Sequence, residues 1–316
     1  MKTVRRLAAI ILVVAAVAFL AHHLYGAVRA GDLPDQVDWS LTAALAAVYG
    51  LVLALGGLNW GLLLGGLGHA LPRLTAVSIL LVSQIGKYLP GNVGHLVGRV
   101  GLAKAYGVPV ALAVLAVSGE IALTLLTAVL VCAIGLLFAP DLVGLTGGVG
   151  QPGWIGFAIL GASGLVLAGL MALPRLVPSL PAALRRRLEG AVAISPRTAF
   201  TFIALQGGQF VVQGGIVGGL AVALGEPFPP LAQTTTLFAV AWVLGFLLPG
   251  APGGLGVREA LLVAGFAPLL GPGPAVALSL LLRLVTVLGD GMGFVIGSLL
   301  ARRIRLRREC AGDQGA

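Results

Sequence analysis

GKYLPGNVGHLVGR (Gly86–Arg99) and LPGAPGGLGVRE (Leu248–Glu259) interrupt two long apolar regions of the chain. Both stretches contain Leu-Pro-Gly, further glycines, and an arginine nine residues after the first proline. Proline followed by glycine ends a helix, because proline lacks an N–H and glycine favours non-helical backbone. The shared pattern therefore predicts an internal repeat, each copy of which is built around a broken apolar region.

The composition excludes a water-soluble globular fold. The 316-residue chain is 58% hydrophobic and only 10% charged, whereas about 25% of the residues of a typical soluble domain are charged. The net charge of +9 has no solvated basic domain to carry it, so no nucleic-acid partner is expected. We predict an all-α, polytopic membrane helix bundle whose positive charge determines its orientation.

Hydropathy predicts eight apolar segments, of which six are long enough for the roughly 20 residues that a membrane crossing needs. These six full spans lie at about 7–28, 41–69, 109–138, 153–173, 198–224 and 275–300. The first resembles a signal peptide, but we expect it to be retained as a helix. The two broken regions, 74–106 and 231–270, have arms of about 16 residues, or roughly 24 Å of helix. Each is predicted to be a re-entrant hairpin, with two short full spans as the alternative.

Charge placement predicts the orientation. Basic residues cluster in residues 2–6, in loop 174–197 and in tail 301–316, whereas loops 29–40 and 139–152 are acidic or nearly uncharged. Basic loops stay on the cytoplasmic side, so we expect a multi-pass protein of a bacterial-type inner membrane with both termini in the cytoplasm.

This orientation divides one transmembrane domain, 1–300, into two inverted halves. Repeat 1 covers about 1–138 and repeat 2 about 153–300, followed by the basic tail 301–316. The two hairpins then enter from opposite faces. In inverted-topology repeats the substrate site lies near the midplane, where such broken elements meet.

The chemistry of the two breaks suits an anion. A helix that restarts after a break presents unpaired N–H groups and a positive dipole end, and arginine adds donors that match phosphate or carboxylate. Alternatively, the breaks are simple turns whose arginines reach the membrane surface. The predicted substrate-binding residues are Lys87, Pro90, Gly91, Asn92, Gly94, Arg99, Glu120, Pro249, Gly250, Gly253, Gly254, Gly256, Arg258, Glu259 and Arg283.

Three ionisable residues, Glu120, Arg283 and Asp290, lie within predicted full spans. A carboxylate at the position of Glu120 needs a partner or a water-filled cavity, because membrane burial of a lone charge is costly. We expect Glu120 to meet Arg258 or Arg283, in a substrate pocket or in a structural ion pair. Arg283 and Asp290 are seven residues apart and share a helix face, and we expect a structural role for Asp290.

The segment Gln84–Gly94, followed by Arg99 and Gly107-Val108-Pro109, resembles the lysylphosphatidylglycerol synthase transmembrane region, a flippase-like membrane family. Pro249–Glu259 resembles it too, together with Glu120 and Arg283, and the resemblance covers about 40–300. It implies a lipid translocation domain, which in larger relatives flips aminoacylated phosphatidylglycerol. Those relatives carry a soluble aminoacyl-transferase domain that this sequence lacks, so no synthetase activity is expected.

The sequence thus predicts a flippase-like translocator that binds an anionic lipid or polyprenyl-phosphate headgroup. It is expected not to be an enzyme, with no cofactor and no metal. One alternative is a membrane-embedded transferase, for which Glu120 and Glu259 are the candidate acid and base. The other is a non-transporting accessory protein. Membrane lipids are the expected partners, and a lipid-synthesising enzyme is a further candidate.

Overall fold

The computed structural model describes residues 37–89, 93–138, 195–247 and 256–313. These residues form helices joined by short turns, with no strand among them. The eight α-helices are α1 (Trp39–Gly66), α2 (Arg73–Gln84), α3 (Gly94–Ala105), α4 (Val110–Phe138), α5 (Pro196–Ala223), α6 (Leu231–Leu247), α7 (Val257–Leu270) and α8 (Pro272–Asp313). A 3-10 helix, Ile85–Tyr88, extends α2.

Long and short helices alternate in the same order twice. A long helix is followed by two short ones and a second long one, first in α1–α4 and then in α5–α8. The long helices α1, α4, α5 and α8 are each apolar and long enough to cross a membrane. The short helices have 12 to 17 residues, or roughly 18 to 26 Å.

The packing follows the same twofold order. α1 packs against α5, its counterpart in the other half, and α2 packs against α8 as α6 packs against α4. Within the halves, α1 contacts α2 as α5 contacts α6, and α3 contacts α4 as α7 contacts α8. The two halves are therefore interleaved, because each contributes its first short helix to a contact with the last helix of the other.

Glycines bring the helices close at equivalent places. A Cβ added to Gly57 of α1 would lie 2.6 Å from the Val77 Cα of α2, and one added to Gly214 of α5 would lie 2.6 Å from the Thr235 Cα of α6. Only glycine allows such backbone approach, and small residues are how membrane helices achieve close packing.

The helix boundaries follow local chemistry. Asp38 caps α1, its carboxylate accepting from the Leu41 N–H at 2.9 Å, and Ser195 caps α5 in the same way through the Thr198 N–H at 3.1 Å. The turn after α3 needs glycine, because Gly107 has a φ of +88°. The turn after α7 needs it too, because Gly271 has a φ of +87°.

The outward surface is apolar, as a lipid-facing surface must be. Leu51, Phe138 and Phe200 are more than 60% exposed, on three different long helices. Soluble monomers rarely expose extended apolar patches. Buried side chains such as Trp60, Phe210 and Phe266 fill the interior instead.

The prediction of a helical membrane protein is confirmed, and α1, α4, α5 and α8 match four of the six predicted spans. The other two, 7–28 and 153–173, lie outside the described residues. α8 contains the last predicted span, 275–300, and continues as a helix through the basic tail to Asp313, because arginine-rich sequence remains a good helix former where the apolar run ends.

Candidate functional site

A cavity of about 200 Å³ lies between the two halves, and every one of the eight helices contributes side chains to it. Six of the predicted site residues line it: Lys87, Arg99, Glu120, Arg258, Glu259 and Arg283. The predicted residues Pro90, Gly91, Asn92, Pro249, Gly250, Gly253 and Gly254 lie outside the described residues. The ionisable residues that the sequence singled out therefore meet in one place, although they come from five separate elements.

Lys87 is held at one end of the cavity by a buried carboxylate. Its Nζ lies 2.5 Å from the Asp290 Oδ2 of α8, and the Tyr88 hydroxyl donates to the same oxygen at 2.6 Å. The Lys87 Nζ also lies over the rings of Tyr49 and Tyr88, 5.9 and 5.5 Å from their centroids. This lysine is thus compensated by charge and by aromatic faces, and Asp290 ties the 3-10 helix to α8.

Arg99 forms an ion pair with Glu120. The arginine is only 2% exposed, and its guanidinium lies over the Trp60 ring at 5.9 Å. The prediction that Glu120 meets Arg258 or Arg283 was wrong. Glu120 lies on α4, which packs directly against α3, so the arginine of its own half reaches it first.

The second half contains a corresponding ion pair, in which the acidic and basic residues have exchanged helices. The Glu259 Oε1 of α7 lies 3.8 Å from the Arg283 Nε of α8, and its Oε2 accepts from the Gly256 N–H at 2.7 Å. In each half, an ion pair connects the second short helix to the following long helix. The arginine is on the short helix in one half and on the long helix in the other.

Arg258 differs from the other cations of the cavity. Its Nε, like that of Arg99, is buried without a hydrogen-bond partner among the described residues. Unlike Arg99, however, it forms no ion pair with a carboxylate of these residues. Its side chain packs against Gly245 of α6, where an added Cβ would lie 2.5 Å from the Arg258 Cγ. Four cations and two carboxylates line the cavity. A third carboxylate, Asp290, lies outside the lining and pairs with Lys87. Arg258 is therefore the excess positive charge.

Gly94 is placed beside the cavity by a backbone crossing. A Cβ on Gly86 would lie 2.5 Å from the carbonyl carbon of Gly94 and 2.6 Å from the His95 N. A Cβ on Gly94 would overlap the Gly86 carbonyl oxygen. The two arms of the first broken region thus cross backbone to backbone, which explains the glycines around this break. Gly256, the other predicted glycine described, has a φ of +84° and caps α7.

Replacing Gly94 with alanine should destabilise the protein by about 1–3 kcal/mol, the usual cost of overpacking. The added methyl group meets backbone, which can move only if the arms separate. The thermal unfolding midpoint in detergent measures the effect. Gly101→Ala is the matched control, because Gly101 is on the same helix with open space around it. Equal midpoints for the two variants would contradict the crossing.

The sequence reasoning missed the uncharged part of the lining. Gln206, Gln209 and Gln213 of α5 line the cavity, as do the aromatic residues Tyr49 and Trp242. The three glutamines are three and four residues apart in the sequence, which places their side chains on one face of the helix. Polar residues aligned on one face of an apolar span were the signal that would have found them.

The comparison with known families agrees with the motifs. The family model described as the lysylphosphatidylglycerol synthase TM region matches residues 6–290. A search of curated proteins finds no match. The match covers nearly the whole chain, including both broken regions and the six predicted site residues that line the cavity. The chain therefore belongs to the lysylphosphatidylglycerol synthase transmembrane-region family.

Proposed function

We propose that this protein is a lipid translocator that binds an anionic headgroup in the cavity between its halves. The observation that carries the proposal is Arg258, a cation at the cavity without a carboxylate partner among the described residues. An uncompensated charge inside a membrane protein is costly, and such residues usually serve a substrate pathway.

A phosphate group is the ligand that Arg258 fits best. The guanidinium is permanently charged and presents donors in a planar fork that matches phosphate oxygens. The excess of one positive charge at the cavity equals the charge of a phosphodiester. A bound phosphodiester lipid or polyprenyl-phosphate derivative would therefore neutralise the site.

The packing order supports an inverted-topology repeat. Each substantial helix contact has a counterpart when α1–α4 are exchanged with α5–α8, which is what an internal twofold axis produces. The short helices α2, α3, α6 and α7 support two re-entrant hairpins, since each is shorter than the roughly 30 Å hydrocarbon core. The basic loops support an inner-membrane orientation with both termini in the cytoplasm.

The ion pairs favour translocation over lipid-modifying catalysis. A general acid or base must exchange a proton during turnover. Glu120 and Glu259, the candidates for that role, are each engaged in an ion pair with an arginine. We therefore assign them to positioning the short helices and not to proton transfer.

Replacing Arg258 with alanine should lower lipid transfer between the leaflets of reconstituted liposomes by at least about tenfold. A hydrogen bond to a charged group contributes about 1.5–3 kcal/mol, or roughly 10- to 100-fold. The measurement is the rate at which a tail-labelled phosphatidylglycerol becomes accessible to an external quencher.

Arg73→Ala is the control, since Arg73 is exposed at the start of α2 and outside the cavity. Equal rates for wild type, Arg258→Ala and Arg73→Ala would contradict the proposal. A wild-type protein that transfers no lipid but co-purifies with a lipid-synthesising enzyme would favour the accessory role.

A further inference from the structure

The cavity contains uncharged hydrogen-bonding groups that the binding of a phosphate does not require. Gln209 is only 6% exposed and lines the cavity, yet its side-chain amide has no hydrogen-bond partner among the described residues. Its backbone carbonyl, by contrast, accepts from the Gln213 Nε2 at 3.3 Å. The amide of Gln209 therefore opens onto the cavity, where its donor and acceptor are available to a polar ligand.

The neighbouring groups position this amide. A Cβ on Gly56 of α1 would lie 3.7 Å from the Gln209 Oε1, so α1 comes within van der Waals range of the amide. One turn earlier, the Gln206 Oε1 accepts from the Asn59 Nδ2 at 3.4 Å. α5 thus presents a row of amides to the cavity, and Gln209 is the member whose donor and acceptor are both available.

Amides in a row match hydroxyl groups. An amide offers both a donor and an acceptor, and a hydroxyl group can pair with either. A headgroup with several hydroxyls, such as glycerol or a sugar, would satisfy the row without introducing charge. A phosphate carrying only an alkyl group would leave Gln209 unpaired, which costs affinity because the desolvated amide keeps its penalty.

Among the described residues, no carboxylate at the cavity is left unpaired for an ammonium group. The two carboxylates that line the cavity, Glu120 and Glu259, are each paired with a cation, as is the buried Asp290 behind Lys87. The aromatic faces are also engaged: the Arg283 guanidinium lies 5.8 Å from the Tyr88 ring centroid, and Trp242 stacks on another aromatic ring at 5.4 Å. A cationic or amine-bearing headgroup therefore meets an excess of positive charge.

We propose that the ligand of this cavity is an anionic phosphodiester lipid with a neutral, polyhydroxylated headgroup, and that Gln209 is a specificity-determining residue for it. This inference rests on the proposed function, because it takes Arg258 as the phosphate partner. The hydroxylated phosphodiester can come from a glycerophospholipid or from a polyprenyl-phosphate sugar, which share this chemistry.

Equilibrium binding to the full chain in neutral detergent tests the inference with matched lipids. Short-chain phosphatidylglycerol and phosphatidylmethanol carry the same charge and differ in the headgroup hydroxyls. A polyprenyl phosphohexose and the corresponding polyprenyl methyl phosphate form the second pair, and lysyl-phosphatidylglycerol supplies the ammonium-bearing probe. Calorimetric titration gives a dissociation constant for each lipid.

We expect the hydroxylated member of at least one pair to bind roughly fivefold more tightly than its methyl counterpart, the effect of about one neutral hydrogen bond. That pair identifies the source. Gln209→Leu should abolish the difference and leave the methyl lipid unchanged, whereas Gln233→Leu, a glutamine outside the cavity lining, should preserve it. Lysyl-phosphatidylglycerol should bind at least tenfold more weakly than phosphatidylglycerol.

The failures are distinguishable. Three results would overturn the inference even if anionic lipids still bound in an Arg258-dependent way. They are equal dissociation constants within both pairs, an equal effect of Gln209→Leu on both members of a pair, and tight binding of lysyl-phosphatidylglycerol. Binding of every lipid that survives Arg258→Ala, or no binding of any anionic lipid, would overturn the proposed function and this inference with it.

Discussion

Replacing Asp290 with alanine is expected to destabilise the folded protein by about 3–5 kcal/mol, the cost of removing one partner from a buried ion pair. The Asp290 side chain is fully buried and Lys87 is 17% exposed, so the lysine would stay as an uncompensated charge near the cavity. The Tyr88 hydroxyl, which donates to Asp290 at 2.6 Å, would lose its acceptor as well. The thermal unfolding midpoint in mild detergent measures the change.

Two further variants separate this charge effect from simple loss of an aspartate. Asp38→Ala removes an exposed helix cap and should cost only about 1 kcal/mol. The double variant Lys87→Met with Asp290→Leu should recover much of the stability, because it replaces both charges with apolar groups. If Asp290→Ala unfolds at the same temperature as Asp38→Ala, the buried pair does not stabilise this fold.

The helices and their breaks were predictable because their causes are local. Hydropathy places α1, α4, α5 and α8, since each span depends only on its own composition. The broken regions were visible for the same reason: proline and glycine act on the residues beside them. The helical conformation of the basic tail, as far as Asp313, was not predicted, because hydropathy indicates the membrane boundary and a helix need not end there.

The ion-pair partners were not predictable, because they depend on which helices pack against each other in the tertiary structure. The sequence indicated that Glu120 needed a cation and that Arg258 and Arg283 were the cations of the second half. It contained no information that α3 lies beside α4, which gives Glu120 to Arg99. The Lys87–Asp290 pair joins opposite halves and follows from the packing of α2 against α8, a tertiary contact.

The pairing explains why Arg258 is the residue without a carboxylate. Arg99 and Arg258 occupy equivalent positions after the two breaks, and each is followed by a long helix. In the first half that helix supplies Glu120, but in the second half it supplies Arg283. Glu259, next to Arg258, then pairs with Arg283. The exchange of charges between the two halves therefore leaves one cation at the cavity without a carboxylate partner among the described residues.

Arg258→Glu should consequently have the largest effect on lipid transfer of any single substitution, because it changes the excess charge at the cavity from +1 to −1. Two unit charges 4 Å apart interact with about 4 kcal/mol at an effective dielectric constant of about 20, so repulsion of a phosphodiester should lower the transfer rate of anionic reporter lipids by at least about 100-fold, to that of protein-free liposomes. Arg258→Lys keeps the charge but loses the planar fork, and it should retain activity within about tenfold of wild type. If Arg258→Glu and Arg258→Lys slow transfer equally, the shape of the arginine matters and its charge does not, and the electrostatic account of the cavity fails.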